Sequence, residues 1–87
     1  MQIAGRVALV TGAGRGIGRA LCRELRQRGA AGIVVADLDG AMAEATATEL
    51  GGIGLQCDVA DAAAVRSVVD AATARFGRVD ILVSNAG

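Results

Sequence analysis

The residues best placed to do chemistry are three glycines, Gly12, Gly16 and Gly18, which follow directly on the apolar run Val7-Ala8-Leu9-Val10 and Thr11. Such a run is what a parallel strand shows when both its faces are buried, so a strand stops here and a helix opens near Gly16. Glycines at that corner let the chain turn sharply and bring bare backbone close to a ligand. The first N–H groups of a helix have no partner in their own ladder and carry the positive end of its dipole. The corner therefore favours an anion, above all a pyrophosphate. Asp37, Asp58 and Asn85 each fall at the end of a later apolar run and could meet the rest of the same ligand.

The elements that position these residues can be read in order. Ile17, Ala20, Leu21, Leu25 and Arg28 fall at helical spacing and predict a first helix over about 16–28, closed by Gly29. Ile33 to Ala36 predict a second buried strand, followed by the polar turn Asp37-Leu38-Asp39-Gly40 and an Ala-rich helix over about 41–50 that ends at Gly51-Gly52. A weaker third strand is expected over about 54–57. Asp61 is a candidate N-cap for a helix whose Val65, Val68, Val69, Ala72 and Phe76 share one face and which stops at Gly77. Asp80 leads into a fourth strand, Ile81 to Ser84. Strands alternating with helices over short loops predict one α/β unit spanning 1–87, with a parallel, doubly wound sheet in the order 3-2-1-4. Its switch point lies between strands one and four, where such sheets bind ligands beyond their carboxyl ends.

Composition removes several classes of function. Nine Arg balance nine Asp and Glu, so no net field draws the chain to nucleic acid or to an acidic membrane. Arg15, Arg19 and Arg23 recur at spacing four with only Glu24 close by, but the aromatic residues that stack bases are missing, which favours a solvated helix face. Cys22 and Cys57 lie far apart, without a CxxC spacing and without any histidine, so no metal site is expected and both read as reduced, buried residues. The N-terminus lacks a basic segment followed by an apolar one, and no apolar run approaches the roughly 20 residues that span a bilayer. A cytoplasmic location without membrane attachment is expected.

The spacing Gly12-x-x-x-Gly16-x-Gly18 does not fit G-x-G-x-x-G, which would need glycine at Ile17 or Arg19, nor a P-loop, which needs Gly-Lys-Ser/Thr. It strongly resembles the Thr-Gly-x-x-x-Gly-x-Gly motif of the short-chain dehydrogenase/reductase family, through Thr11, Gly12, Gly16 and Gly18. The extended branch of that superfamily uses Thr-Gly-x-x-Gly-x-x-Gly, which Arg15 breaks. Asp37 lies nineteen residues after Gly18, and Asp58-Val59 follows the third strand, both as in the family. Asp80 to Gly87 is similar to the family's Asp-x-Leu-Val-Asn-Asn-Ala-Gly, with Ser84 in place of the first asparagine.

The resemblance implies a Rossmann-type fold and a nicotinamide cofactor, with hydride transfer to or from a carbonyl or alcohol carbon of a small-molecule substrate. Gly12 would allow the tight turn, Gly16 the approach of the pyrophosphate and Gly18 the packing of the first helix on the sheet. Asp37 would accept from the adenosine ribose hydroxyls. Asp58 would lie near the adenine amino group, with local capping as its alternative role. Thr11 would tie the first strand to the turn of Asn85, Ala86 and Gly87, which passes near the nicotinamide ribose. With Arg15, Ile17, Leu38 and Val59 these residues form the candidate cofactor set.

Asp37 would face the extra phosphate of NADP with like charge, which favours NAD, whereas Arg15 stands where family members that use NADP often carry a basic residue. NAD is therefore expected, with NADP as the alternative. The family's acid–base tyrosine, its lysine, its serine and its catalytic asparagine all lie C-terminal to the region matched here. The sequence has no tyrosine, histidine or tryptophan, and all nine of its Lys/Arg residues are Arg, so no catalytic residue is assigned. The buried character of Ile81 to Val83, with nothing after it to cover the strand, leads to the expectation of an N-terminal part of a longer protein, and the family resemblance implies that this parent is a homo-oligomer. The competing reading is a non-catalytic nucleotide-binding or interaction module.

Overall fold

The computed structural model describes residues 2–85. Its elements run β1 (Val7–Thr11), α1 (Gly16–Gln27), β2 (Gly32–Asp37), α2 (Gly40–Leu50), β3 (Ile53–Gln56), α3 (Ala62–Phe76) and β4 (Ile81–Ser84). All strand pairs are parallel, and the order across the sheet is β3-β2-β1-β4, as the alternating pattern predicts. Boundaries shift by a residue or so. β1 takes in Thr11, β2 takes in Gly32 and Asp37, and β3 starts and ends one residue earlier than expected.

Each central strand feeds two cores, because successive side chains leave opposite faces. Ala8, Val10, Ile33 and Val35 meet Cys22 and Leu25 of α1 and Ala43 and Ala47 of α2 on one face. Leu9, Val34 and Ala36 meet Val68 and Ala72 of α3 on the other, with Val65, Val69 and Phe76 partly buried beside them. Burial of each large apolar side chain such as Leu9 or Ile33 contributes on the order of 1.5–3 kcal/mol. β4 is less covered: Ile81 and Val83 pack on the first core, whereas Leu82 is 60% exposed.

The stripe that α1 buries is Gly18, Cys22 and Leu25. Ile17 is 80% exposed. A glycine lets the helix axis come closest at position 18, and that contact rotates Ile17 outward. The arginines of α1 are also better matched than nearby sequence implied. Glu49 of α2 accepts from Arg19 at 2.8 Å and from Arg23 at 2.6 Å, and Arg28 pairs with Glu24 one turn earlier. A face read as merely solvated is thus a clamp between two helices.

At the opposite end of the sheet, Asp80 joins β1 to β4. Its carboxylate accepts from the Val7 N–H at 2.8 Å and from Arg78 Nε at 2.9 Å, and its own N–H donates to the Val7 carbonyl at 2.9 Å. The Val7 N–H, helped by Arg78, holds the Asp80 carboxyl below its usual value. No helix of the described residues is long and apolar enough to cross a membrane.

The Arg23 and Arg19 hydrogen bonds draw the Glu49 carboxyl down from an ordinary 4.5 to about 2. A depressed carboxyl stabilises the fold above its unfolded value and loses that contribution as pH falls through the folded one. The melting temperature of the native chain should therefore exceed that of Glu49→Gln at neutral pH. The gap should narrow below about 4.5 and close near 2. Melting curves across this range check it; a gap that does not depend on pH would contradict the clamp.

Candidate dinucleotide site

Thr11 ends β1, and the chain then turns through Gly12 and Gly16, whose φ angles of 63° and 62° lie in the left-handed region. A side chain at either position would be strained. Gly18 is buried for a different reason. A methyl group there would run into the Gly12 carbonyl and lie 2.8 Å from Asn85 Nδ2 and 2.9 Å from Ala13 Cα. α1 thus begins close against the end of β1.

The N-terminus of α1 differs from those of its neighbours. Asp39 caps α2 by accepting from the Met42 N–H, and Asp61 caps α3 by accepting from the N–H groups of Ala63 and Ala64. The N-cap of α1 is Arg15, which supplies no side-chain cap, and no acidic residue stands in the first turn. The leading N–H groups of α1 are left to a ligand or to water. Asp39, which reads from sequence as a solvated turn residue, is instead the α2 cap.

Asp37 is 9% exposed. One carboxylate oxygen accepts from the Gly14 N–H and the other from the Asp39 N–H, each at 2.9 Å. These bonds fix the carboxylate and leave it further acceptor capacity. Asp58 lies at the end of β3 with its carboxylate accepting from the Ala60 N–H at 2.9 Å, a local turn that leaves the residue exposed. Asn85 donates its backbone N–H to Thr11 Oγ1 at 3.1 Å and its side-chain amide to the Gly12 carbonyl at 3.3 Å. Thr11 Oγ1 donates in turn to the Val83 carbonyl at 3.4 Å, so the threonine does tie β1 to β4.

A groove of about 410 Å³ crosses the carboxyl ends of the strands and is lined by Gly12, Arg15, Asp37, Leu38, Cys57, Asp58, Val59 and Asn85. Seven of these eight are sequence-predicted residues. Gly16 and Ile17 lie in the first turn of α1 just beyond Arg15, and Gly18 packs beneath the corner. Ala86 and Gly87 lie outside the described residues.

Cys57 is the lining residue that sequence reasoning placed only in the core. It is 3% exposed, and burial, aided by Asp58 and Asp61, pushes its thiol above the usual value. Burial likewise raises the Cys22 thiol to about 11. Both cysteines are free. Thr46 is the other missed residue: fully buried on α2, it donates Oγ1 to the Gly14 carbonyl at 3.1 Å. Its position three residues after Ala43 on the buried face was the available signal. No cluster of metal-ligating side chains exists among the described residues.

The family model described as short chain dehydrogenase matches residues 6–87. The chain belongs to that family. D-threitol dehydrogenase of Mycolicibacterium smegmatis is 50% identical over 91 residues, which cover 99% of this chain and 35% of that protein. Among solved structures, the 3-ketoacyl-(acyl-carrier-protein) reductase from Brucella melitensis complexed with NADH is 40% identical with a TM-score of 0.87, covering 92% of this chain and 34% of that one. A short chain dehydrogenase/reductase from Burkholderia phymatum in complex with NAD is 36% identical with a TM-score of 0.89, covering 94% and 31%. The chain therefore spans about a third of the length of these family members.

The packing at Gly18 sets a direct test of the corner. Gly18→Ala must push α1 away from β1 or displace Asn85, and should cost about 1–3 kcal/mol by overpacking. Urea unfolding checks this; an unchanged midpoint would contradict the contact.

Proposed function

We propose that this chain supplies the dinucleotide-binding part of a short-chain oxidoreductase that moves hydride between a nicotinamide cofactor and a carbonyl or alcohol carbon of a small molecule. The observation that carries the reading is a groove that brings an uncapped helix N-terminus together with a fixed carboxylate acceptor. That pairing suits a ligand with phosphates at its middle and hydroxyls on its sugar.

In this reading Gly12, Gly16 and Gly18 shape the pyrophosphate corner, with the backbone of Arg15 and Ile17 beside it. Asp37 accepts from the adenosine ribose hydroxyls next to Leu38. Asp58 and Val59 border the adenine, and Asn85 leads, with Ala86 and Gly87, toward the nicotinamide ribose. The bound nicotinamide supplies the hydride or accepts it. The chain's own share is to bind and orient that cofactor, since it contains no tyrosine and no histidine and its Lys/Arg residues are all Arg. Proton transfer at the substrate falls to residues outside these 87.

NAD is the proposed cofactor. The Asp37 carboxylate sits in the groove, already oriented by two backbone donors. A phosphate on the ribose would meet it at a cost of several kcal/mol, on the order of a hundredfold or more in affinity if nothing offset it. Arg15, exposed on the groove and without an ion pair among the described residues, reduces that penalty without removing it.

Titration calorimetry with NADH and NADPH checks the assignment. The native chain should bind NADH about tenfold tighter or better, and Asp37→Ala should erase the preference. Equal affinities in the native chain, or an unchanged ratio in Asp37→Ala, would overturn it.

A further inference from the structure

Gly14 stands in the middle of the glycine corner but contributes nothing to the motif spacing. Its backbone is nevertheless held on both sides by side chains. The Gly14 N–H donates to Asp37 Oδ2 at 2.9 Å, and the Gly14 carbonyl accepts from Thr46 Oγ1 at 3.1 Å. The peptides on either side of Gly14 are thus pinned by two buried side chains, one at the end of β2 and one on α2. A methyl group at Gly14 would lie 2.8 Å from Met42 Cβ and 3.0 Å from Asp37 Oδ2, so the residue fills the space between α2 and Asp37.

A threonine inside a helix usually turns its hydroxyl back onto the carbonyl one turn earlier. Thr46 is fully buried and directs its hydroxyl across to the corner instead. A planar trans peptide places its C=O and N–H on opposite sides. Holding the Gly14 carbonyl toward α2 therefore turns the Arg15 N–H away from α2. That N–H has no protein acceptor among the described residues, and Arg15 lines the groove.

We propose that Thr46 is a positioning residue for the groove: through the Gly14–Arg15 peptide it presents the Arg15 N–H as a donor to the ligand, and through Gly14 it holds the Asp37 carboxylate in place. The inference rests on the reading of the groove as a dinucleotide site. Without the hydroxyl, the buried Gly14 carbonyl loses its partner, and the peptide gains by rotating toward water. Rotation carries the Arg15 N–H inward and loosens the Gly14 N–H from Asp37.

The test uses the full chain with Thr46→Val, which keeps the shape and loses the donor, and Thr46→Ser, which keeps the donor. NADH affinity is measured by calorimetry, and amide hydrogen exchange is followed without ligand. Thr46→Val should bind NADH about tenfold more weakly and exchange its Gly14 amide about tenfold faster, while the amides of α2 keep their protection. Thr46→Ser should stay within about twofold of the native chain in both. Unchanged NADH affinity in Thr46→Val, equal losses in both variants, or unchanged Gly14 exchange would overturn the proposal. If the native chain bound no NADH, the cofactor reading would fail, and the ligand-free exchange of Gly14 would still decide the positioning role. Should Thr46→Val not fold, Thr46→Ala is read in the same way.

Discussion

The arrangement of this protein depends on how closely α1 approaches the end of β1. Gly18 lies so near the Gly12 carbonyl, Ala13 Cα and Asn85 Nδ2 that no side chain fits between them. The approach makes Cys22 and Leu25 the buried stripe of the helix and turns Ile17 outward. It also sets the uncapped start of α1 against the carboxyl ends of the strands, beside the gap between β1 and β4. Asn85 closes that gap by bonding both Thr11 and Gly12, so one close contact aligns the helix start, the first strand and the fourth.

Around that contact, aspartates do most of the polar work. Asp37, Asp39, Asp58, Asp61 and Asp80 each accept at least one backbone N–H. Satisfying those donors with carboxylates ends strands, starts helices and ties β4 to β1. α1 is the exception, and the absence of any such carboxylate at its start is what leaves it open to an external anion. The groove then combines this bare helix end with an acceptor, Asp37, that the protein has already oriented.

Much of this was legible in the sequence because it depends on local pattern. The runs 7–10, 33–36 and 81–83, the glycine stops and the Asp61 cap fixed the element order, and alternation of strand and helix then led to the sheet order. The glycine spacing and the strand-end aspartates located the groove. What escaped was set by long-range geometry. Glu49 lies twenty-six residues from Arg23, Thr46 thirty-two from Gly14 and Asp80 seventy-three from Val7, and no periodicity links such pairs. Asp39 was underread because a cap and a solvated turn share the same residue type.

The central claim is that the groove at the carboxyl ends of the strands holds a nicotinamide dinucleotide. A titration of the isotope-labelled chain with NADH, followed through backbone amide shifts, tests it most directly. The expected result is a saturable set of shifts at Arg15, Gly16, Ile17 and Gly18, together with Leu38, Asp58 and Val59, while α3 beyond its first turn and the Asp80 end of the sheet stay unmoved. Shifts confined to other surfaces, or none at saturating NADH, would contradict the account.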